Sequence, residues 1–537
     1  MKHFIGIDLG TTNSVIATFD GQDPRIWKSP EQSDITPSAI FIDRRGRRYI
    51  GQRAYDAAPR DPENSALLFK RLMGTSTPIR LAAAGLTLTP QECSAEILKA
   101  LCGYLDEEIL PQDRTAAVIT VPAAFNQMQK NATQKAASLA GIGQAALIQE
   151  PVAAVMSVMR SDRPEGLFLI YDLGGGTLDI ALAEALGGRV NLLAHGGLAL
   201  FGGRDFDRIL VHSLVRPWLM NNFSLPDDLP ASPRYRSLMR LAAWAAEKAK
   251  TELSVREETV ISLSENETRT ADLDGAEIFL DIPLSRTAFD NLMARQITES
   301  VEAARETLEK AGLSPGDLER IVFIGGPTKY KPLRDKVAFE LGIRSAAQVN
   351  PLTAVAEGAS IYAESIDWTT PGRSRKKGPG RLASQGSLPL IFNYPSRTPE
   401  ARAVISLQAD NPPSGAEFQV DSLDTGWTSG RLPLTGGASV RVNLAKPGEN
   451  TFKVFAFQAS GQALPLNEDR LVITRTAAAV ESIPASHSLG IEVLEKHGGR
   501  PALAFLVRSG ESLPKKGVQI FRAAETLRAG EAKSLNF

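Results

Sequence analysis

Residues 172–179 read Asp-Leu-Gly-Gly-Gly-Thr-Leu-Asp, and residues 8–14 read Asp-Leu-Gly-Thr-Thr-Asn-Ser. Each stretch follows one short apolar run and precedes another, so each is predicted to be a turn between two strands. The flanking runs are residues 4–7 and 15–18 for the first turn, and residues 167–170 and 180–183 for the second. The chain therefore contains the same motif twice, an aspartate followed by a turn rich in glycine or threonine.

Such a turn lets backbone N–H groups and hydroxyls approach a polyphosphate, and its aspartate can hold a water of a bound Mg²⁺. Two copies that face each other would grip a nucleotide from both sides. A single copy is better explained as an ordinary hairpin turn, since Asp-Gly turns are common between strands. The presence of two copies favours the nucleotide interpretation.

The bulk composition indicates a globular protein of several domains. The chain has 537 residues, which corresponds to about three or four domains at roughly 150 residues each. The formal net charge is −1, so no global field attracts nucleic acid. Cys93 and Cys102 fall in one predicted helix and imply no disulfide. Because no apolar run suits a signal peptide or a membrane span, a cytoplasmic protein is expected.

Residues 1–365 alternate short apolar runs with long amphipathic segments, which predicts an α/β architecture. Strands are predicted at residues 117–121, 167–171 and 320–324, and helices at residues 235–253 and 287–311. A further helix is predicted to begin at the capping box formed by residues 89–92, Thr-Pro-Gln-Glu.

The character of the chain changes after residue 365. Residues 366–384 are rich in Pro, Gly and basic side chains and are predicted to be a solvated linker, with contact to nucleic acid or an anionic membrane as the alternative. Residues 385–475 contain short β-rich runs between turn residues, a pattern typical of an Ig-like β-sandwich. Residues 476–486 are predicted to be a second linker, and residues 487–537 are again β-like.

Three stretches resemble the signatures of the DnaK-type heat-shock chaperone family. They are residues 6–14, residues 172–179 and residues 324–332, the last reading Ile-Gly-Gly-Pro-Thr-Lys-Tyr-Lys-Pro. Further family landmarks are matched in family order by residues 121–126, 150–154 and 201–207. The resemblance covers residues 1–365 and implies a two-lobed, actin-like ATPase domain that closes over ATP or ADP with Mg²⁺. All-β modules would follow it, first the sandwich and then a partial β-type peptide-binding domain.

The resemblance also implies roles for individual residues. Asp8 and Asp172 would orient Mg²⁺ through waters, and Lys70 matches the catalytic lysine, which acts with Glu150, Asp172 and Thr177. Without the flanking family pattern, Lys70 would be interpreted as a solvated helix charge. The residues implied to contact the nucleotide in turns and loops are Gly10, Thr11, Thr12, Asn13, Gly174, Gly175, Gly176, Gly202, Gly203, Gly325, Gly326 and Lys329.

The adenosine pocket of the family contains a Glu-x-x-Lys-x-x-x-Ser helix, which Glu247, Lys250 and Ser254 match. These three residues also fit an exposed helix face with an ion pair between residues three apart. Two family arginines that pack on the adenine are replaced by Thr251 and Lys329. Neither replacement stacks on a ring as a guanidinium does, so loose recognition of the base is expected.

Other departures concern the route between domains. Lys130 stands in place of a relay arginine, while the relay proline is kept as Pro122, and residues 350–354 lack two acids of the family pattern. The family links its domains by a short apolar segment, whereas residues 366–381 are polar and basic. Residues 488–493, Ser-Leu-Gly-Ile-Glu-Val, resemble the start of the family's peptide-binding domain, and the chain stops before that domain and its helical lid would be complete.

The leading interpretation is an ATP-hydrolysing, chaperone-like protein whose nucleotide state controls its C-terminal modules. Its expected partners are unfolded peptide or a dedicated client, a co-chaperone and a nucleotide-exchange factor, with no membrane or nucleic acid. A nucleotide-gated scaffold with slow or vestigial hydrolysis is the alternative, favoured by the altered linker but opposed by the retained Lys70, Asp8 and Asp172. A small-molecule kinase is a third interpretation, because sugar kinases share the actin-like architecture.

Overall fold

The computed structural model describes residues 3–106, 116–162, 165–346, 349–366, 368, 379–384, 390–409, 412–435, 437–466, 469–484, 488–494, 501–508 and 511–513. The central part of the basic linker, residues 369–378, and residues 514–537 of the second β-like stretch lie outside these residues. No helix in the described part of the chain is long and apolar enough to cross a membrane.

Residues 4–162 form an α/β unit, called lobe one below. Its elements are, in chain order, β1 (Phe4–Asp8), β2 (Asn13–Phe19), β3 (Pro24–Ile26), β4 (Thr36–Pro37), β5 (Ala39–Ile42), β6 (Arg48–Ile50), α1 (Gln52–Ala57), β7 (Ser65–Leu67), β8 (Ile79–Leu81), β9 (Leu86–Leu88), α2 (Pro90–Cys102), β10 (Ala116–Val121), α3 (Gln127–Leu139), β11 (Gln144–Gln149) and α4 (Glu150–Asp162). The main sheet has the order β11-β10-β1-β2-β3, with β4 paired to β2.

Residues 166–341 form a second unit, lobe two, and one further helix follows it. The elements are β12 (Gly166–Leu173), β13 (Thr177–Leu186), β14 (Arg189–Ala199), α5 (Gly203–Leu210), α6 (Arg216–Asn222), α7 (Arg236–Glu252), β15 (Glu258–Leu263), α8 (Glu265–Thr268), β16 (Leu280–Ser285), α9 (Arg286–Lys310), β17 (Leu318–Ile324), α10 (Lys331–Leu341) and α11 (Ala354–Glu364). Helix α11 returns to pack on β1 and β2 of lobe one and on α4.

The two lobes repeat one strand arrangement. In lobe one, β1 pairs antiparallel with β2 and parallel with β10. In lobe two, β12 pairs antiparallel with β13 and parallel with β17. Each predicted turn therefore joins the first strand of its lobe to the antiparallel second strand. The two-lobed α/β architecture that the resemblance implied is confirmed.

The helices follow the hydrophobic spacing of the sequence. Helix α9 buries Phe289, Met293, Ile297 and Val301, four residues apart, against the core of lobe two. Helix α2 begins at the predicted capping box, in which the Thr89 hydroxyl accepts from the Glu92 amide and the Glu92 carboxylate accepts from the Thr89 amide. Helix α7 lies within one residue of the predicted bounds.

The C-terminal part of the described chain is composed of strands. They are β18 (Pro379–Ser384), β19 (Leu390–Pro395), β20 (Arg397–Thr398), β21 (Arg402–Ala409), β22 (Glu417–Ser422), β23 (Leu432–Pro433), β24 (Ser439–Asn443), β25 (Gly448–Phe457), β26 (Ala463–Leu464), β27 (Arg470–Arg475), β28 (Ala479–Pro484), β29 (Leu489–Leu494), β30 (Pro501–Val507) and β31 (Ser512–Leu513).

Strands β18 to β27 form the sandwich. One sheet has the order β18-β19-β21-β24, and the other has the order β20-β27-β25-β22-β23, with β26 paired to β25. Inward side chains of both sheets, among them Phe392, Phe418 and Phe452, share one apolar core. Strand β25 alternates buried and partly exposed residues, which is the period of two expected for a sheet with one covered face.

Both predicted linkers are wrong in part. Residues 379–384 are not linker, because they form β18 and pair with β19 along their whole length. Residues 479–484 form β28, which adds in parallel to the edge of β14 and so extends the sheet of lobe two. An edge strand offers unpaired backbone groups, and β28 satisfies those of β14 near residues 189–191. Strand β31 then pairs with β28.

The sandwich and the residues that directly follow it contact the two-lobed region at two places. The buried Glu364 carboxylate at the end of α11 accepts from the Ala477 amide at 3.0 Å, and Arg397 donates to the Glu364 carbonyl. Arg189 at the start of β14 pairs with Glu400 at 2.5 Å. The sandwich is thereby connected to α11, which packs on lobe one, and to β14, which belongs to lobe two.

Candidate nucleotide site

A cavity of about 420 Å³ lies between the two lobes. It is lined by every residue that the sequence analysis assigned to the site, with the exception of Gly202. Side chains from both lobes contribute, and the two glycine-containing turns face each other across it. The structure therefore brings together residues from widely separated parts of the chain into one site.

Close packing explains why glycine occupies the second turn. A Cβ placed on Gly175 would lie 2.3 Å from the Thr12 hydroxyl, and one on Gly176 would lie 1.5 Å from the Arg71 guanidinium. Gly202 supports this turn from behind, since its Cβ would lie 2.4 Å from the Gly176 amide nitrogen. Glycine at these positions therefore lets the turn pack closely against Thr12 and Arg71, where any side chain would clash.

The first turn is held by a hydroxyl network. The Gly10 amide donates to the Ser14 hydroxyl at 3.1 Å, and the Ser38 hydroxyl donates to the Gly10 carbonyl at 2.8 Å. The Ser14 and Ser38 hydroxyls lie 2.9 Å apart and are buried. The turn is thus fixed from below, and the side chains of Thr11 and Thr12 are left to line the cavity.

Three aspartates form an acidic floor. Burial, followed by the charge of Glu150, raises the pKa of Asp8 to about 7 and also raises the pKa of Asp172. The same causes raise the pKa of Asp179 to about 6. Asp8 accepts from the Thr120 hydroxyl at 2.9 Å, which opposes the shift. A cation placed here would relieve the repulsion among these carboxylates and favour their ionised form.

Lys70 supplies a buried positive charge to the site from lobe one. It lies in a short 3-10 helix, Phe69–Leu72, that follows Leu68, whose φ is 59°. Its Nζ donates to Glu150 Oε1 at 2.8 Å, and the two side chains are 5% and 12% exposed. The lysine also lowers the pKa of Asp8 and of Asp172. The alternative of a solvated helix charge is therefore wrong for Lys70.

Helix α7 forms the opposite wall. Lys250 does not pair with Glu247 on its own helix; it lies 2.5 Å from Asp207 Oδ1 and donates to the Gly203 carbonyl at 2.8 Å. Burial raises the pKa of Asp207 to about 6, and Lys250 opposes that shift. Glu247 accepts instead from the hydroxyl of Tyr55, which belongs to lobe one. The exposed-face alternative is therefore wrong for Lys250.

Several residues of the cavity were not selected from the sequence. The charged residues and the tyrosine nearest to the assigned groups are Tyr55, Arg71, Asp179, Arg204 and Asp207. Asp179 is the last residue of the motif 172–179, and Arg71 directly follows Lys70. Their closeness in sequence to assigned residues could have predicted that both lie in the site. Tyr55 had none, since it meets Glu247 across 192 positions of sequence.

The geometry agrees with a comparison against protein families. A family model described as Hsp70 protein matches residues 4–80 and 76–368. The chain belongs to the Hsp70 family. The match spans both lobes and α11 and ends before the β-sandwich. Membership in the Hsp70 family supports an ATP-binding, chaperone-like function.

The residues present fit a nucleotide with Mg²⁺. At Gly175 and Gly176 the turn lines the cavity with backbone alone, and the aspartate floor has the oxygen donors that Mg²⁺ prefers. Among the described residues, no group of three or more His, Cys, Asp or Glu side chains forms a metal cluster.

Proposed function

We propose that this member of the Hsp70 family binds ATP with Mg²⁺ between its lobes and hydrolyses it, and that the nucleotide state regulates its C-terminal β modules. The observation that carries the proposal is the buried Lys70–Glu150 ion pair. It lines the same cavity as the two glycine-containing turns and the buried aspartates whose pKa values are raised. Hydrolysis of a phosphoanhydride requires positioning and charge stabilisation more than covalent chemistry.

Each group has a defined task in that proposal. The Gly10 and Gly174 amides are already bonded to Ser14 and Thr177, so the N–H groups of Thr11, Thr12, Gly175 and Gly176 are the ones that bind the phosphates. Asp8 and Asp172 hold the waters of Mg²⁺, which when bound neutralises charge on the phosphate oxygens. Lys70 and Glu150 position the attacking water, and the ammonium stabilises the charge that develops on the γ-phosphate.

Calorimetry tests the binding step. Wild-type protein is expected to bind ATP with an affinity that rises with Mg²⁺, and Asp172→Asn is expected to weaken only the Mg²⁺-dependent part, because it removes an ionisable carboxylate. Asp281→Asn, on the exposed face of β16, is the matched control and should behave like wild type. Equal Mg²⁺ dependence in Asp172→Asn would contradict the site.

A nucleotide-gated scaffold is the second candidate, and the contacts of the sandwich favour it. The sandwich is fixed to α11 through Glu364 and to β14 through Arg189, so a partner bound to it would sense both lobes. Single-turnover ATPase measurements with and without a denatured client separate the two candidates. Stimulation by the client supports the chaperone, slow and client-independent hydrolysis supports the scaffold, and phosphoryl transfer to an added sugar would point to a kinase.

The partners of a chaperone cycle are also proposed. Unfolded peptide or a dedicated client, a co-chaperone and a nucleotide-exchange factor are what membership in the Hsp70 family leads us to propose. The cytoplasmic setting expected from the sequence also stays a prediction.

A further inference from the structure

The aspartates at the ends of β1 and β12 occupy equivalent places in the two lobes, but the side chains beside them differ. In lobe two, Asp172 pairs with Ile324 of the parallel strand β17. In lobe one, the parallel register of β1 with β10 brings Thr120 beside Asp8. The repeated arrangement therefore places a hydroxyl next to one aspartate of the acidic floor and an aliphatic side chain next to the other.

The hydroxyl of Thr120 restricts the carboxylate of Asp8. Thr120 Oγ1 donates to Asp8 Oδ1 at 2.9 Å, and Thr120 is completely buried. Within the described chain, the carboxylate of Asp172 accepts no such bond from a neighbouring side chain. Because the last torsion of an aspartate has a broad preference, a carboxylate without a hydrogen bond turns easily. One aspartate of the floor is thus held in place by the protein, and the other is not.

Packing alone does not explain a threonine at position 120. Strand β10 reads Ala-Ala-Val-Ile-Thr-Val, and Thr120 is its one polar residue. Valine has nearly the same shape and would fill this space without a hydroxyl that must be taken out of water. The buried hydroxyl of Thr133, by contrast, donates to the Gln129 carbonyl of its own helix. The acceptor of Thr120 is instead a carboxylate that lines the candidate nucleotide cavity.

We propose that Thr120 is a positioning residue of the nucleotide site, which holds the Asp8 carboxylate in the orientation that receives a water of Mg²⁺. This inference rests on the proposed ATP site, and it makes the two metal-facing aspartates unequal. Asp8 is oriented before the metal binds, whereas Asp172 takes up its orientation on binding. Groups that hydrogen-bond a carboxylate at a metal site typically change the metal affinity by about 10- to 100-fold when they are removed.

Three substitutions separate the hydroxyl of Thr120 from its packing. Thr120→Val removes the hydroxyl and keeps the shape, whereas Thr120→Ser keeps the hydroxyl and removes the methyl group. Thr133→Val is the matched control, because it removes a buried hydroxyl of α3 outside the cavity. If Thr120→Val fails to fold, Thr120→Ala also lacks the hydroxyl and takes its place.

Mn²⁺ is the probe, because electron paramagnetic resonance follows its binding directly. With a non-hydrolysable ATP analogue bound, Thr120→Val should bind Mn²⁺ about 10- to 100-fold more weakly than wild type. Thr120→Ser and Thr133→Val should stay within about threefold of wild type, because neither loses the hydroxyl beside Asp8. The affinity for the same analogue in EDTA should be equal in all four proteins, since no metal is then bound.

The substitution Asp8→Ala tests whether Thr120 acts through Asp8. In an Asp8→Ala background, Thr120→Val should weaken Mn²⁺ binding no further, because the acceptor of the hydroxyl is already gone. A general effect of Thr120→Val on the fold would persist in that background.

Several outcomes would overturn the inference. Equal Mn²⁺ affinity in wild type and Thr120→Val would do so, as would a loss that Thr120→Ser shares or that persists in the Asp8→Ala background. An equal fall of nucleotide affinity in EDTA would show that Thr120 is only structural. A wild-type protein that binds the analogue no more tightly with Mn²⁺ than in EDTA would instead overturn the proposed function itself, so the two failures are distinguishable.

Discussion

Removal of the Lys70 ammonium is the most direct perturbation of the proposed hydrolysis. The group is 5% exposed and lies 2.8 Å from Glu150, so water cannot replace it. Losing a buried charge that stabilises a transition state typically costs a factor of ~10² to 10³. We therefore expect Lys70→Ala to hydrolyse ATP at least ~10²-fold more slowly, which equals about 2.7 kcal/mol of activation free energy. ATP binding should be largely retained, because the ammonium acts mainly in the transition state.

The same substitution perturbs folding, and the two effects must be separated. Removing one partner of a buried ion pair typically costs about 3–5 kcal/mol of unfolding free energy, since Glu150 keeps an uncompensated charge. The double variant Lys70→Ala/Glu150→Gln removes both charges and should recover much of that stability without recovering hydrolysis. Lys70 also holds down the pKa of Asp8, so in Lys70→Ala this pKa rises further above about 7 and Mg²⁺-dependent ATP binding should require a higher pH.

The assay is single-turnover hydrolysis, with calorimetric ATP affinity and thermal unfolding measured on the same samples. Lys99→Ala is the control, because it removes a lysine whose ion pair with Glu96 is half exposed. The reasoning is refuted if Lys70→Ala binds ATP and hydrolyses it within about threefold of wild type. Lys70 would then be a structural residue that stabilises Glu150.

Three further predictions concern pH, base selectivity and the sandwich. Burial raises the pKa of Asp8 in the folded protein from 3.8 to about 7, so the protonated carboxyl stabilises the fold below pH 4 and this stabilisation is lost as the pH rises through 7. In Mg²⁺-free buffer, the melting temperature of Asp8→Asn minus that of wild type should therefore increase from pH 4 to pH 8. A difference that stays constant with pH would contradict the burial of this carboxyl. With Thr251 and Lys329 in place of stacking arginines, GTP should compete with ATP within about tenfold in a displacement titration, and strong preference for ATP would show that other residues read the base. Coupling between the domains should bypass the basic linker, so replacing residues 373–377 by Gly and Ser should leave the steady-state ATPase rate unchanged, and a several-fold change would restore the linker as the route.

Local sequence determined much of the ATPase region, because its signals act over short distances. The glycines of residues 174–176 reflect a backbone that must approach its neighbours closely, and any side chain would clash there. The capping box at Thr89 and the four-residue spacing in α9 specify a helix start and a buried face. Asp8 and Asp172 occupy corresponding places in two strand–turn–strand units, and this repetition was enough to predict that they face each other.

The tertiary structure alone decided which distant groups meet. No local feature of the sequence indicates that Tyr55 contacts Glu247. Lys250 pairs with Asp207 of α5 and not with Glu247, three positions away on its own helix, because Lys250 and Asp207 are both buried where α5 packs on α7. Residues 479–484 resembled a linker, since strand formation there depends on the unpaired edge of β14 rather than on local pattern. The sequence by itself thus determined the turns, the helix caps and the buried faces. The packing of the lobes decided which strands pair at sheet edges and which side chains meet across the cavity, because the free energy of these contacts arises only when separate segments are brought together.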